Sequence, residues 1–422
     1  MSRTAGKNQK GTSFKEYFLT FMQEQENILR NIILTSLPSV KSLNDLVELL
    51  NKIFVLKYPK LSDKKCVTLK QLKFFAAQSK NLYHSFYIKK KSGKLREISA
   101  PAHGLKLIQE LINEILMAVY TQNDSACGFI RGKSITDGAK KHVNQHFVLN
   151  IDLKDFFDSF EWYQVRNLFR KAPFFFPESE NKSENIPLLL AYLCCYPKEV
   201  ERFVDGEYRK ETRYVLPQGA PCSPMLTNML CCTLDARLAG LAKKYGAQYS
   251  RYADDISFSH SKNIFKNDSS FRVQVKQIIE ATPHLRLNEE KTRLQGRRYR
   301  QEVTGIIVND KVNVPQRYIN QIRKWLYFWE HYGYQKANAL FTEFYMLDKG
   351  HIKHTCPGLE NVLVGKLNYL KMIRGAENPT FVKLYQRYMF VSGQSKQEMV
   401  LTQNKSDNVS IYDILQMLVD AI

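Results

Sequence analysis

The feature that most restricts how this chain can fold is a pair of adjacent carboxylates, Asp254 and Asp255, placed between two segments rich in apolar residues. The pattern across residues 248–259 predicts a strand, a tight turn and a second strand. Two like charges held at a turn against a core either raise the pKa of one carboxyl or require a cation, and a hard divalent ion such as Mg²⁺ meets that need. The alternative is a solvent-exposed Asp-Asp turn, because Asp is common in turns. The apolar segments on both sides favour the metal site.

A second short apolar run, residues 146–152, also ends in a carboxylate, Asp152. The run predicts a buried strand, which would supply a further acid for a site with two metal ions. On the local sequence alone, a metal-binding role and a structural role for Asp152 are equally supported. The nearby Asp155 and Asp158 are expected to be solvated or to cap a helix rather than to bind metal.

Two further segments accompany these acids along the chain. Residues 85–101 are predicted to form a β-hairpin with a cationic tip at residues 89–94, for which a solvated Lys-rich turn is the alternative. Residues 216–226 form a loop rich in proline that opens a long helix over 224–245, with Ser223 as its cap. An ordinary rigid loop is the alternative for this segment.

The charge of the chain points to a polyanionic partner. Its 422 residues include 62 Lys and Arg against 41 Asp and Glu, a net charge of +21, and 12% of the residues are aromatic. Disordered basic tails are poor in aromatic residues, so this composition indicates a folded protein that binds nucleic acid. No apolar run approaches the roughly 20 residues that span a bilayer, no secretory signal is recognised, and no pair of cysteines has the CxxC spacing. We therefore expect a cytoplasmic protein with no membrane partner and no zinc ribbon.

Taken in order, the hairpin, the run ending at Asp152, the loop at 216–226 and the Tyr-Ala-Asp-Asp turn resemble the successive blocks of a reverse transcriptase. The resemblance implies a right-hand polymerase fold of class α+β, with fingers, a palm of antiparallel sheet and helices, and a helical thumb. The domains that it implies are a helical N-terminal region at 1–80, fingers and palm at 81–315, the thumb at 316–391, and a linker with a C-terminal amphipathic helix at 392–422.

The resemblance also implies roles for individual residues. Three aspartates would bind two Mg²⁺ ions, with Mn²⁺ as a substitute: Asp152, Asp254 and Asp255. Six residues would contact the incoming dNTP: Lys90, Arg96, Phe157, Gln218, Gly219 and Lys291. Lys90 and Arg96 would neutralise the triphosphate. Phe157 would exclude a ribose 2′-OH, and Lys291 is the candidate general acid for the leaving pyrophosphate.

Within that family the chain most resembles the bacterial retron type. It carries Leu-Pro-Gln-Gly-Ala-Pro-Cys-Ser-Pro at 216–224, Val-Thr-Gly at 303–305 and Ala-x-x-His ending at His142, although Gly138 stands where retron enzymes carry Asn. The resemblance implies a structured noncoding RNA whose 2′-OH primes a short cDNA, giving an RNA–DNA hybrid molecule (msDNA). It further implies an effector protein as partner and a role in antiphage defence.

Two other functions are left open by the sequence. The first is another prokaryotic reverse transcriptase, of the diversity-generating, abortive-infection or group II intron related kind, without a branched RNA primer. No maturase or nuclease extension is recognised after the thumb, so the group II intron kind is not expected. The second is a nucleic-acid-binding protein with an inactive palm, and the intact set of acids argues against it: Asp152, Asp254 and Asp255.

A hairpin turning at residues 309–310 is expected before the pattern becomes wholly helical. Trp325 and Trp329 then lie four residues apart on one helix face, which favours core packing. Six basic residues are expected to contact phosphates: Arg317, Arg323, Lys324, Lys366, Lys371 and Arg374. The helix predicted at 410–422 is expected to dock on the thumb, with recruitment of a partner as the alternative. Three potential metal ligands lack a fourth and are expected to be structural or solvated: His351, His354 and Cys356.

Overall fold

The computed structural model describes residues 14–59, 66–89, 93, 95–121, 123–349 and 356–401, with side chains described within these ranges over 23–347 and 356–393. The helices are α1 (Phe14–Ser36), α2 (Leu43–Lys57), α3 (Leu69–Ala77), α4 (His103–Val119), α5 (Ile135–Lys140), α6 (Trp162–Arg170), α7 (Ile186–Cys194), α8 (Ser223–Leu230), α9 (Cys232–Tyr245), α10 (Ser270–Glu280), α11 (Gln316–Lys349), α12 (Leu359–Arg374) and α13 (Pro379–Leu401). The strands are β1 (Tyr83–Lys89), β2 (Leu95–Pro101), β3 (Phe147–Leu153), β4 (Tyr196–Val204), β5 (Glu207–Val215), β6 (Gln248–Tyr252), β7 (Asp255–His260), β8 (Leu287–Gly296), β9 (Glu302–Val303) and β10 (Ile306–Ile307). Three of the residues discussed above and the helix expected at 410–422 lie outside the described residues: Lys90, His351 and His354.

A four-stranded antiparallel sheet carries the acidic residues, with the strand order β6–β7–β3–β8. β3 lies inside this sheet, and four of its apolar side chains are buried: Val148, Leu149, Ile151 and Leu153. Successive side chains of a strand point to opposite faces, so burial of neighbours shows that both faces of β3 are covered. This accounts for the continuous apolar run that precedes Asp152. The mixture of helices and antiparallel sheet confirms the predicted α+β class.

α2 and α3, in the N-terminal part of the chain, begin at clear caps. Ser42 and Asp45 form a capping box at the start of α2, and Thr68 and Gln71 form another at the start of α3. Each box satisfies two backbone N–H groups that the first helical turn leaves without partners. α2 packs against α4, and the apolar faces of both helices belong to the same hydrophobic core as β3. The helical region expected at 1–80 therefore shares its core with the sheet.

Two antiparallel hairpins complete this part of the fold. β1 and β2 pair along their whole length, as predicted for residues 85–101. β4 and β5 pair around a two-residue turn, Asp205 and Gly206. Both turn residues have positive φ, as a type I′ hairpin turn requires.

α11, α12 and α13 form a second hydrophobic core. Trp325 and Trp329 are buried in it, which confirms their predicted packing role. Val148 of β3 belongs to the same cluster, so this helical core is continuous with one face of the sheet. α11 breaks at Gly333, where φ is 75° and ψ is 165°, a conformation that glycine adopts readily.

The linker expected to begin at residue 392 does not begin there, because α13 continues to Leu401. The segment is polar, but it contains Gln, Lys, Glu and Met, which are good helix formers. Polarity alone was therefore a misleading boundary signal. Within the described part of the chain, no helix is long and apolar enough to cross a bilayer.

The helix expected over 224–245 is two helices, α8 and α9. Cys231, between them, has φ −84° and ψ 1°, which interrupts the helical geometry. Ser223 is the first residue of α8 rather than its cap. Cys222 occupies the N-cap position and makes no side-chain capping bond.

The segment expected to form one hairpin turning at residues 309–310 turns twice. It turns first at Thr304 and Gly305, between β9 and β10, and again across residues 308–312, where Ile307 pairs antiparallel with Asn313. Thr304 and Gly305 both have positive φ, which suits a two-residue hairpin turn.

Asn309 lies in the second turn, and its side chain ties that turn to the segment before β9. Its amide oxygen accepts a hydrogen bond from the backbone N–H of Gln301, and its amide nitrogen donates to the carbonyl of Tyr299.

Candidate active site

Three carboxylates converge at one end of the central sheet. Asp152 of β3 is in register with Asp255, the first residue of β7. Asp254 lies in the turn between β6 and β7, and its carbonyl accepts a hydrogen bond from the N–H of Leu153 at 3.1 Å. Ala253, at φ 53°, makes this turn tight. The predicted strand, turn and strand are thus confirmed, and they bring together acids that are about a hundred residues apart in the sequence.

A buried arginine anchors the turn that carries the acids. Arg251 is 1% exposed. Its Nε and Nη2 atoms each donate to Asp235 of α9 at 2.7 Å, and its Nη1 donates to the carbonyl of Ala253 at 3.2 Å. Tyr249 of β6 also donates to Asp235 at 2.7 Å. Two-point ion pairs of this kind fix the orientation of the guanidinium. The oriented Arg251 side chain in turn holds the backbone of the turn at Ala253.

Electrostatics at the acids favours a bound cation. The surrounding protein removes part of the solvent around the Asp255 carboxyl, and Asp254 and Asp152 repel its charge. These effects, desolvation first, raise the pKa of Asp255 to about 6. The pKa of Asp254 is also raised, first by burial and then by Asp152, while Arg96 and Lys291 act in the opposite direction. A nearby positive charge relieves such strain between carboxylates.

The residues present fit divalent metal ions by their chemistry. Carboxylate oxygens are the ligands that Mg²⁺ prefers, and two of the three acids have raised pKa values. The described residues do not already form a cluster of three or more His, Cys, Asp or Glu side chains with metal-site geometry. Asp152 instead accepts hydrogen bonds from Lys291 Nζ at 2.7 Å and from Asn288 Nδ2 at 3.0 Å. The Lys291 ammonium therefore balances the negative charge of Asp152 in this structure.

Lys291 and Asn288 reach Asp152 because both belong to β8, which pairs with β3. The register places Asn288 opposite Asp152, and a bulge between Asn150 and Asp152 shifts the pairing. Sequence reasoning identified Lys291 but missed Asn288. Nothing in the local sequence separates Asn288 from its polar neighbours.

The β1–β2 hairpin also presents a charge to the acids. Arg96 of β2 lies near enough to Asp254 that its positive charge opposes the rise in the pKa of that carboxyl. Arg96 pairs with Ile88 across the hairpin. The structure thus brings Arg96 to the acidic cluster.

The loop at 216–226 approaches β2 through its backbone. The carbonyl of Gln218 accepts a hydrogen bond from the N–H of Ser99 in β2 at 2.9 Å. Gly219 has φ 136°, and a Cβ atom there would lie 2.8 Å from the carbonyl oxygen of Ser99. Only glycine fits this conformation and this close approach. Gln218 and Gly219 are thus placed at the contact between this loop and the β1–β2 hairpin.

Phe157 follows β3 and begins a short 3-10 turn, Phe157–Ser159. Its half-buried ring packs edge-on against Phe156, with centroids 5.5 Å apart. The next residue, Asp158, was expected to be solvated or to cap a helix, and this was wrong. Its side chain is 19% exposed and accepts a hydrogen bond from Lys198 at 2.9 Å. The partner is 40 residues away, so no local pattern could reveal it.

The Ala-x-x-His element lies behind the sheet. His142 is fully buried, and its two ring nitrogens lie 2.7 Å from Ser259 Oγ and 2.8 Å from Ser250 Oγ. Burial lowers the pKa of His142 to about 3. A Cβ atom at Gly138 would lie 3.3 Å from Cys127 Cβ. Cys127 therefore limits the space that a side chain at position 138 could occupy.

The family model for "Reverse transcriptase (RNA-dependent DNA polymerase)" matches residues 88–308. The chain therefore belongs to the reverse transcriptase family. The matched residues contain the end of β1, all of β2 and the central sheet. The α+β fold is the right-hand polymerase fold that the sequence predicted, and we propose that the β1–β2 hairpin belongs to its fingers, the central sheet to its palm and α11–α13 to its thumb.

Its curated relatives are of the retron type, as the sequence predicted. The chain is 35% identical to "Retron Mx162 reverse transcriptase" of Myxococcus xanthus, over 57% of this chain and 51% of that protein. It is 30% identical to "Retron Ec86 reverse transcriptase" of Escherichia coli, over 57% of this chain and 68% of that protein. The chain spans about half the length of the Mx162 protein and of another relative from Myxococcus xanthus, "Retron Mx65 reverse transcriptase". A solved telomerase from Candida albicans matches 77% of this chain and 66% of its own at 12% identity and a TM-score of 0.39, which is too loose to carry an argument.

Proposed function

We propose that this chain is an RNA-directed DNA polymerase that copies a structured noncoding RNA into a short cDNA. The observation that carries the proposal is the convergence of Asp152, Asp254 and Asp255 at one end of the sheet, inside the segment that matches the family. A binding protein with an inactive palm has no use for three acids crowded within a chain of net charge +21.

In this proposal the three aspartates hold two divalent ions, Mg²⁺ with Mn²⁺ as a substitute. When bound, these ions supply Lewis-acid chemistry for in-line phosphoryl transfer. Arg96, together with Lys90, neutralises the triphosphate of the dNTP. Lys291, which donates to Asp152, gives a proton to the leaving pyrophosphate.

Phe157, Gln218 and Gly219 shape the nucleotide pocket. Phe157 packs on the deoxyribose and leaves no room for a 2′-OH, which selects dNTPs over rNTPs. Gln218 and Gly219 hold the fingers strand at the pocket through the contact with Ser99. Positioning of this kind accounts for a large share of catalysis in phosphoryl transfer.

The experiment that tests the activity is RNA-templated incorporation of dNTPs by the double variant Asp254→Asn with Asp255→Asn. Loss of several kcal/mol of charge stabilisation should lower the rate by roughly a thousandfold or more, while RNA binding survives. Asp310→Asn is the matched control, because that side chain is 83% exposed. Synthesis that persists at the wild-type rate in the double variant would contradict the assignment of the acids.

The retron relatives favour a specific form of this activity. The 2′-OH of the noncoding RNA primes the cDNA, so the product is an RNA–DNA hybrid, and the enzyme works in the cytoplasm with an effector protein in antiphage defence. Nucleic acid extracted from the purified protein decides the priming. RNA and DNA joined at a branch support it, whereas RNA without linked DNA favours another prokaryotic reverse transcriptase.

A further inference from the structure

One face of β4 touches both the fingers and the turn that carries Phe157. Tyr196, Lys198 and Arg202 are spaced by even numbers along this strand, so their side chains share a face. All three are buried or half-buried, whereas Glu199, Glu201 and Phe203 on the other face are exposed. The inner face of β4 is therefore a packed surface inside the polymerase domain.

The fingers side of this surface is formed by β2. Ser99 donates to the hydroxyl of Tyr196 at 2.9 Å, and Lys198 Nζ lies 3.2 Å from Glu97 Oε2. Ser99 and Glu97 are two residues apart and share a face of β2. Arg96 is adjacent to Glu97 in the strand, so its side chain lies on the opposite face of β2. On that face its charge acts on Asp254.

The palm side of this surface is the turn that follows β3. Lys198 Nζ donates to Asp158 Oδ2 at 2.9 Å, and Arg202 Nη2 donates to the backbone carbonyl of Asp158 at 2.7 Å. Asp158 immediately follows Phe157 in the 3-10 turn. The backbone that carries the Phe157 ring is thus held by β4.

Of Tyr196, Lys198 and Arg202, Lys198 has polar contacts with both sides. Its side chain is 22% exposed, and the carboxylates of Asp158 and Glu97 are 19% and 31% exposed. Without the ammonium, two partly shielded acids would face each other and move apart. The backbone contact between Ser99 and Gln218 would still hold β2 to the palm, so the expected change is local.

We propose that Lys198 is a positioning residue for the incoming nucleotide. Its ammonium fixes the distance between the strand that bears Arg96 and the turn that bears Phe157. It thereby sets both the affinity for dNTP and the discrimination against rNTP. This inference rests on the proposed polymerase function, since it concerns the geometry of the same nucleotide pocket.

The test is steady-state kinetics of Lys198→Met on an RNA template. Methionine reproduces the unbranched side chain as far as Cε but removes the ammonium. We expect the KM for dNTP to rise about tenfold with kcat within about threefold of wild type, and the preference for dNTP over rNTP to fall. Lys198→Arg should restore most of the affinity. Lys210→Met is the matched control, because Lys210 lies in the same hairpin, is 71% exposed and pairs only on the surface with Glu199.

A second variant covers the case in which Lys198→Met does not fold. Glu97→Gln removes only the fingers half of the bridge and leaves the pair between Lys198 and Asp158. It should raise the KM for dNTP in the same direction by a smaller factor. An unchanged KM in the folded variants, or a fall in kcat alone, overturns the inference. A wild-type protein that incorporates no dNTP refutes the proposed function instead.

Discussion

His142 connects two strands of the palm sheet through a single neutral ring. Its nitrogens contact Ser250 of β6 and Ser259 of β7, and the residue is fully buried. A buried imidazole without a carboxylate partner is costly to charge. Burial accordingly lowers its pKa to about 3, whereas an unfolded chain has a histidine pKa of about 6.5.

This difference predicts a pH dependence of folding. Below about pH 6.5 the unfolded state binds a proton at His142 that the native state does not bind. The free energy of unfolding should therefore fall by up to about 1.4 kcal/mol for each pH unit until pH 3 is approached. His142→Gln should lack this component. Urea denaturation of both proteins at pH 7.5, 5.5 and 4.5 measures it. His331→Gln, at an exposed thumb position, is the control, and a constant gap between wild type and His142→Gln at all three pH values would contradict the prediction.

At the scale of residues, sequence reasoning found the groups whose chemistry is unusual in their local context. Asp254 and Asp255 stood out as adjacent acids between apolar strands, and the structure places them beside Asp152. Lys198 and Asp158 did not stand out, because each is ordinary until a partner 40 residues away is brought to it. Burial and long-range pairing are properties of the fold, and a local pattern does not contain them.

The turn between β6 and β7 depends on a buried ion pair. Arg251 and Asp235 are each 1% exposed and are joined by two hydrogen bonds. If the guanidinium were removed, solvent could not reach Asp235 to stabilise its negative charge. Removing one member of such a pair leaves the other as an uncompensated buried charge. The stability of the Tyr-Ala-Asp-Asp turn is therefore tied to α9, an element that carries none of the proposed catalytic groups.

We predict that Arg251→Met lowers the free energy of unfolding by about 3–5 kcal/mol. Urea denaturation measures the change, and Arg237→Met is the matched control because Arg237 lies on the exposed side of α9. Tyr249→Phe, which removes one hydrogen bond to the same carboxylate, should cost about 1.5–3 kcal/mol. A destabilisation by Arg251→Met no larger than that of the control would show that the pair does not support the turn.

At the scale of elements, the strands beside an apolar run or a clear turn signal were predictable, including the exposed β1, and β8 was not. β8 pairs only with β3 in the central sheet, and its middle residues are largely exposed and charged. An edge strand of this composition lacks the alternation that indicates a half-buried strand. The block around Lys291 was recognised by its resemblance to the family, and the strand that carries it was missed.

At the scale of the whole molecule, the net charge of +21 is carried by a chain with two large hydrophobic cores. The thumb core includes Val148 of β3, so the thumb helices are packed on the palm sheet. Arg323 of α11 lies close enough to Arg374 of α12 that their repulsion, after burial, lowers the pKa of Arg374. Two guanidinium groups that repel each other form a favourable place for a phosphate.

The thumb should therefore contribute measurably to the salt dependence of nucleic-acid binding. For a synthetic RNA–DNA hybrid, the slope of log K against log salt should become shallower by about 0.7 to 0.9 in Arg323→Gln, because one phosphate contact and its released counterion are lost. Fluorescence anisotropy across a series of salt concentrations gives the slope. Lys52→Gln is the control, since Lys52 is half exposed on α2 and pairs with Glu48. If Arg323→Gln kept the wild-type slope, the excess positive charge of the thumb would have to act without contacting phosphate at this position.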